Sequence, residues 1–181
     1  MEAASPSPWL AAFADALRIA ARRGPVLDLA CGRGRHARAA AALGARCLAI
    51  DRDREALAEL ARASAAPGRC VQALCADLET PHGIPVATGS CAAVLVFRFL
   101  FRPLAREIER VLRPGGLLLY ETFSVRQREL GRGPRNPSFL LAPGELPRLF
   151  PGLEVIAYQE TLRAEPEPEH VASLAARKPG G

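Results

Sequence analysis

Alternation is the feature that most limits how this chain can fold. Apolar runs at 26–30, 46–50, 70–75, 92–97 and 117–122 read as strands, and the stretches 36–43, 55–64 and 103–112 read as helices. Strands alternating with helices at this spacing specify a mostly parallel sheet covered on both faces. The punctuation agrees. Ser5-Pro6-Ser7-Pro8 offers a cap with proline at the first helical position, and Trp9, Leu10, Phe13, Leu17 and Ala20 keep helical spacing after it. Gly24-Pro25, Gly44, Pro67-Gly68 and Arg113-Pro114-Gly115-Gly116 each mark a stop. Residues 123–142 read as irregular and 143–150 as a short helix. Strands at 155–159 and 171–176 have only a loop between them, Glu165-Pro166-Glu167-Pro168-Glu169 included. A parallel pair needs a crossover of roughly a dozen residues, so this pair is expected to be an antiparallel hairpin at one edge.

Composition narrows the class. The 181 residues make one domain's worth of chain. We expect residues 1–23 to form an N-terminal helix, a candidate pocket lid, and residues 24–178 the core. The net charge is 24 − 19 = +5, and Lys178 is the only lysine. The arginines are scattered with no run of five like charges, which argues against a nucleic-acid-binding tail. No apolar run approaches the roughly 20 residues of a membrane helix, and Asp15, Arg18, Arg22 and Arg23 break up any leader-like stretch at the start. The five cysteines, Cys31, Cys47, Cys70, Cys75 and Cys91, contain no CxxC pair. They fit a reduced, cytoplasmic protein with no metal site.

The chemistry gathers at strand ends. In open α/β sheets, ligands bind beyond the carboxyl ends of the strands. Residues 28–34, Asp51, Asp77 and 97–101 are four such ends carrying small or polar groups. Gly32-x-Gly34-x-x-Ala37 fits the dinucleotide fingerprint. Asp51 follows Asp28 by 23 residues, where it can accept from ribose hydroxyls. Asp28 separates the candidate cofactors. A carboxylate repels a pyrophosphate but attracts an ammonium or a sulfonium, at ~4 kcal/mol for a pair ~4 Å apart in an effective dielectric near 20.

Asp28-Leu29-Ala30-Cys31-Gly32-Arg33-Gly34 resembles the first motif of class I S-adenosylmethionine-dependent methyltransferases, commonly D/E-x-G-x-G-x-G, with Ala30 in place of the first glycine. Asp51, Ala76-Asp77-Leu78 and Arg113-Pro114-Gly115-Gly116 resemble later motifs of the same family. The likeness covers about residues 24–178, and the size and layout are loosely similar to the tellurite-resistance methyltransferase group. It implies a doubly wound, Rossmann-like, mostly parallel seven-stranded sheet whose last strand is antiparallel, with helices on both faces. It also implies S-adenosylmethionine as cofactor. Asp51 would then hold the ribose and Asp77 the adenine amino group.

The expected cofactor-binding residues are Asp28, Ala30, Cys31, Gly32, Gly34, His36, Asp51, Arg52, Ala76, Asp77, Leu78 and Phe97. Expected around a small-molecule acceptor, for which the arginines suit an anion, are Trp9, Arg98, Tyr120, Glu121, Arg135 and Asn136. Arg98 in particular is expected at the pocket mouth. No side chain stands out as a general base, which thiolates or other anions would not need. Two readings compete: an S-adenosylmethionine-binding module without turnover, and an NAD(P)-dependent oxidoreductase. The acceptor's identity and the oligomeric state leave no mark on the sequence.

Overall fold

The structure, a computed structural model, describes residues 5–64, 70–164 and 167–180. Seven strands form one sheet in the order β3-β2-β1-β4-β5-β7-β6. They are β1 (Val26–Leu29), β2 (Cys47–Asp51), β3 (Val71–Cys75), β4 (Cys91–Phe97), β5 (Leu112–Phe123), β6 (Glu154–Arg163) and β7 (Glu169–Arg177). β1 pairs parallel with β2 and β4, as do β2 with β3 and β4 with β5. β7 runs antiparallel to both β5 and β6, so the edge hairpin lies where the loop length required it. The strand order reverses between β1 and β4, and that switch point opens a crevice at the carboxyl edge.

The central strands explain the arrangement. Every residue of β1 and β4 is buried, as expected for parallel strands packed on both faces. On one face Leu27, Val94, Val96 and Leu118 meet Ile108 and Val111 of α5 (Ala105–Val111). On the other Val26, Ala93 and Leu95 meet Leu17 of α2 (Ala14–Ala21) and Ala37 and Ala40 of α3 (Arg35–Ala42). Each such leucine or valine contributes ~1.5–3 kcal/mol by leaving water. The alanine-rich face of α3 lets that helix lie close to the sheet.

Several boundaries differ from expectation for local reasons. The N-terminal helix is two: α1 (Pro8–Ala12) ends at Phe13, whose φ of −107° breaks the turn before α2. Ser7 caps α1, its Oγ accepting from the Trp9 amide. α4 (Arg54–Ala63) starts from the Asp53 cap. The helix expected from residue 103 opens as a 3-10 turn, Arg102–Leu104. The Arg113–Gly116 stop lies inside β5, which starts at Leu112 and absorbs the turn through a register shift opposite Cys91/Ala93. The loop 123–142 holds two 3-10 segments, Val125–Leu130 and Pro137–Phe139, and α6 is one turn, Glu145–Arg148. The Pro67-Gly68 stop and Glu165-Pro166 lie outside the described residues. No helix among the described residues is long and apolar enough to cross a membrane.

Candidate active site

A cavity of about 400 Å³ opens over the carboxyl ends of β1 to β5. Its wall joins Ala30 after β1, Asp51 and Arg52 at β2, and Ala76, Asp77 and Leu78 after β3. Arg98 after β4 and Thr122 of β5 continue it. This volume lies within the ~300–1,000 Å³ of small-molecule and cofactor sites.

The glycine loop is shaped by backbone needs. Gly32 and Gly34 have φ of 53° and 70°, and Ala30 adopts 52°. A Cβ on Gly34 would collide with the Leu60 side chain of α4, whereas the space above Gly32 is open. Asp51 is clamped beneath this loop: Oδ2 accepts from the Gly32 amide at 2.7 Å and Oδ1 from the Asp53 amide at 2.9 Å. Each oxygen keeps a second lone pair for a ligand. Asp77 is oriented the same way, Oδ1 accepting from the Glu79 amide at 2.9 Å. Arg52 pairs with Glu79 at 3.0 Å.

Asp28 behaves differently from the charge argument. It is 1 % exposed, and its Oδ2 accepts from the Ala37 amide at 2.9 Å. Its carboxylate is directed into the first turn of α3 and is absent from the cavity wall. Burial raises its pKa to about 7. Cys31 is buried in the loop, its thiol pKa pushed up by burial.

His36, expected among the cofactor-binding residues, is buried. Its ring stacks on Phe97 at 3.8 Å, and Nε2 accepts from the Ser7 amide at 3.2 Å. Burial and the charges of Arg35, Arg98 and Arg163 lower its pKa to about 3, so the ring is neutral. Trp9 is a core anchor rather than a lid over this cavity: its indole N–H donates to the Leu174 carbonyl at 3.2 Å. Tyr120 is buried, its hydroxyl donating to the Phe99 carbonyl at 2.9 Å. Arg135 and Asn136 are exposed and off the wall, and Asn136 caps the second 3-10 segment of the loop. Arg98 lines the cavity, with φ of 59°. Glu169 binds it through Nη1 at 2.6 Å and Nη2 at 2.7 Å.

Behind Arg98 runs a buried ionic network. Glu121 accepts from Arg163 at 2.8 Å, from the Ser7 hydroxyl at 2.8 Å and from the Ser173 hydroxyl at 3.0 Å. Arg163 also pairs with Glu169. Arg35 faces this network half-buried, its pKa lowered first by burial and then by Arg98 and Arg163. Its guanidinium has no hydrogen-bond or ion-pair partner among the described residues. The motifs did not single it out, yet a signal was present: an arginine in the first turn of a helix opposes the helix dipole, and such local conflicts concentrate at functional sites. Glu79, Leu100, Pro134 and Phe139 also line the cavity without a motif to mark them. Among the described residues no cluster of His, Cys, Asp and Glu is placed to hold a metal.

A sheet reversing between β1 and β4, with a glycine loop at the reversal and acids ending β2 and β3, is the class I methyltransferase fold. A family model described as "Methyltransferase domain" matches residues 26–116, and the chain belongs to that family, the S-adenosylmethionine-dependent methyltransferases. Solved structures of this fold are similar at low identity. A SAM-dependent methyltransferase from Methanosarcina mazei aligns at 18% identity with a TM-score of 0.69, covering 87% of this chain and 93% of the other. One from Mesorhizobium loti aligns at 19% and 0.70, covering 91% and 96%. TehB from Haemophilus influenzae aligns at 18% and 0.72, covering 91% and 62%. No curated protein matches the sequence significantly.

Proposed function

We propose that the protein binds S-adenosylmethionine across the ends of β1, β2 and β3 and moves its methyl group to a small-molecule acceptor held at the ends of β4 and β5. The observation that carries this reading is the presence of Asp51 and Asp77 on the wall of one cavity, both already oriented by backbone amides. The donor set suits the cofactor. Asp51 accepts from ribose hydroxyls, Asp77 accepts from the adenine amino group, and Ala30, Leu78 and Leu100 bound the base. The open space over Gly32 admits the rest of the nucleoside, and the half-buried Arg35 supplies a cation for the amino-acid carboxylate. Once bound, the cofactor supplies an electrophilic methyl group on a cationic sulfur. The chain's own work is alignment and exclusion of water. Asp28 serves from behind, holding α3 and so the loop. A cavity of this size favours a small molecule over a nucleic acid or protein, and residues 1–23 and 24–178 work as one domain.

Titration with S-adenosylhomocysteine tests the assignment. Asp51→Ala should weaken binding by ~1–3 kcal/mol, the cost of hydroxyls left without an acceptor. Unchanged affinity in that variant, or preferential binding of NADH by the parent protein, overturns it.

A further inference from the structure

Beyond the nucleoside end the cavity changes character. Phe99, Phe123, Pro134 and Phe139 line it there, with Thr122 at the strand end. Arg98 is the one ionisable side chain on this part of the wall among the described residues. It lies 5.4 Å over the Phe123 ring, and Glu169 occupies two of its nitrogens. Two neighbouring arginines are engaged as well. Arg102 pairs with Glu145 and donates to the Ser138 and Leu140 carbonyls, and Arg132 donates to the Pro168 carbonyl and pairs with Glu167. The whole wall carries three carboxylates, Asp51, Asp77 and Glu79, against two guanidiniums, Arg52 and Arg98. With Arg98 paired to Glu169 and Arg35 given to the cofactor carboxylate, an anionic acceptor meets no excess of positive charge here. Among the described residues no side chain at this end is placed to act as a base: the Tyr120 hydroxyl is held by the Phe99 carbonyl, and Glu121 is engaged by Arg163, Ser7 and Ser173.

We infer that the acceptor is an uncharged, flat, apolar molecule that attacks through a lone pair already free at neutral pH, a heteroaromatic ring nitrogen, and leaves as a cation. The inference rests on the methyl-transfer reading above. The acceptor nitrogen's lone pair forms the new N–C bond while the S–C bond breaks, its electron pair staying on sulfur as a thioether. Positive charge passes from sulfur to nitrogen, and no proton moves. Phe99, Phe123 and Phe139 offer ring faces to the flat acceptor and to the cation formed. The surplus of carboxylates suits a cavity that holds one positive charge before and after transfer.

The test uses the full chain with S-adenosylmethionine and three probes of one shape: quinoline, 1-naphthol and 1-naphthoate. Quinoline should be N-methylated, at a rate that does not climb between about pH 7.5 and about pH 9, above the Asp28 transition, because the acceptor loses no proton to an enzymic base. Naphthol, which must lose a proton, and naphthoate, which is an anion, should lag at least about tenfold. Phe139 is 43% exposed, so Phe139→Ala should leave the fold intact. That variant should raise KM for quinoline about fivefold and leave S-adenosylhomocysteine affinity unchanged. Preference for naphthoate or naphthol, a rate that climbs with pH, quinoline left unmethylated, or an unmoved KM in Phe139→Ala each overturns the inference. Failure to bind S-adenosylhomocysteine at all would instead sink the methyltransferase reading, so the two failures are distinct.

Discussion

The two ends of the strand-edge crevice hold their carboxylates in opposite ways. At β1 to β3, Asp28, Asp51 and Asp77 accept from backbone amides 9, 19 and 2 residues away. At β5 and β7, Glu121 and Glu169 accept from side chains of Arg163, Ser7 and Arg98, at separations of 42, 114 and 71 residues. The first arrangement follows from local backbone geometry and needs only an acid and a glycine loop in the right places. The second needs elements from both ends of the chain to assemble, and it ties the N-terminal segment to the edge hairpin. The lesson is that the nucleoside end is a property of a short motif, whereas the acceptor end is a property of the finished fold.

The largest effect should come from breaking the second arrangement. Glu121→Ala removes a buried partner of Arg163 and leaves two hydroxyls without an acceptor. Truncating one member of a buried ion pair costs ~3–5 kcal/mol, which urea denaturation would read as a lower midpoint. Asp77→Ala, in an exposed turn, should cost under ~1 kcal/mol in the same experiment. Equal losses at the two positions would erase the distinction between the ends.

Next comes pH. Asp28 has its pKa raised from 3.8 to about 7 in the folded protein. The folded state therefore binds the extra proton, and stability falls as pH rises through that window, by up to roughly 4 kcal/mol at ~1.4 per unit. His36 works in the opposite direction. Its pKa is lowered from 6.5 to about 3, so its stabilisation is complete above 6.5 and is lost as pH falls toward 3. Between about pH 4 and 6.5 the two slopes oppose each other. Asp28→Asn keeps an acceptor for the Ala37 amide and removes one slope. Its stability should rise with pH across that range, while the parent protein stays comparatively level. A variant whose pH profile parallels the parent's would show that Asp28 does not titrate there.

Legibility followed the same division. The succession of strands and helices, the edge hairpin, the glycine loop and the places of Asp51 and Asp77 at strand ends could be read because periodicity, turn residues and motif spacing are local signals. The break at Phe13 could not, since Trp9 and Leu17 keep one helical phase across it. The chemistry of Asp28 was read with the wrong surroundings: sequence shows a carboxylate at a loop, but not that Ala37 closes over it. The contacts of His36 and Glu121 escaped because their partner Ser7 lies 29 and 114 residues away. Arg98 was placed at the mouth, yet nothing near it in sequence indicated that Glu169 would neutralise it.

The smallest effect sharpens the comparison most, because each end contains one residue in a left-handed conformation without being glycine. Ala30 has φ of 52° and Arg98 has φ of 59°. Such a backbone costs an ordinary residue ~1–2 kcal/mol, of which a glycine substitution recovers the part that exceeds its own entropy cost of ~0.5–1 kcal/mol. Ala30 makes no side-chain bond, so Ala30→Gly should stabilise by up to ~1 kcal/mol and raise Tm by ~2–4 °C. Arg98→Gly relieves the same strain but strips Glu169 of a bidentate partner and uncovers Phe123, so it should destabilise on balance. A thermal melt of both variants decides the matter. If Arg98→Gly also stabilised, the Glu169 pair would be contributing nothing to the fold, and the acceptor end would be no more dependent on distant side chains than the glycine loop is.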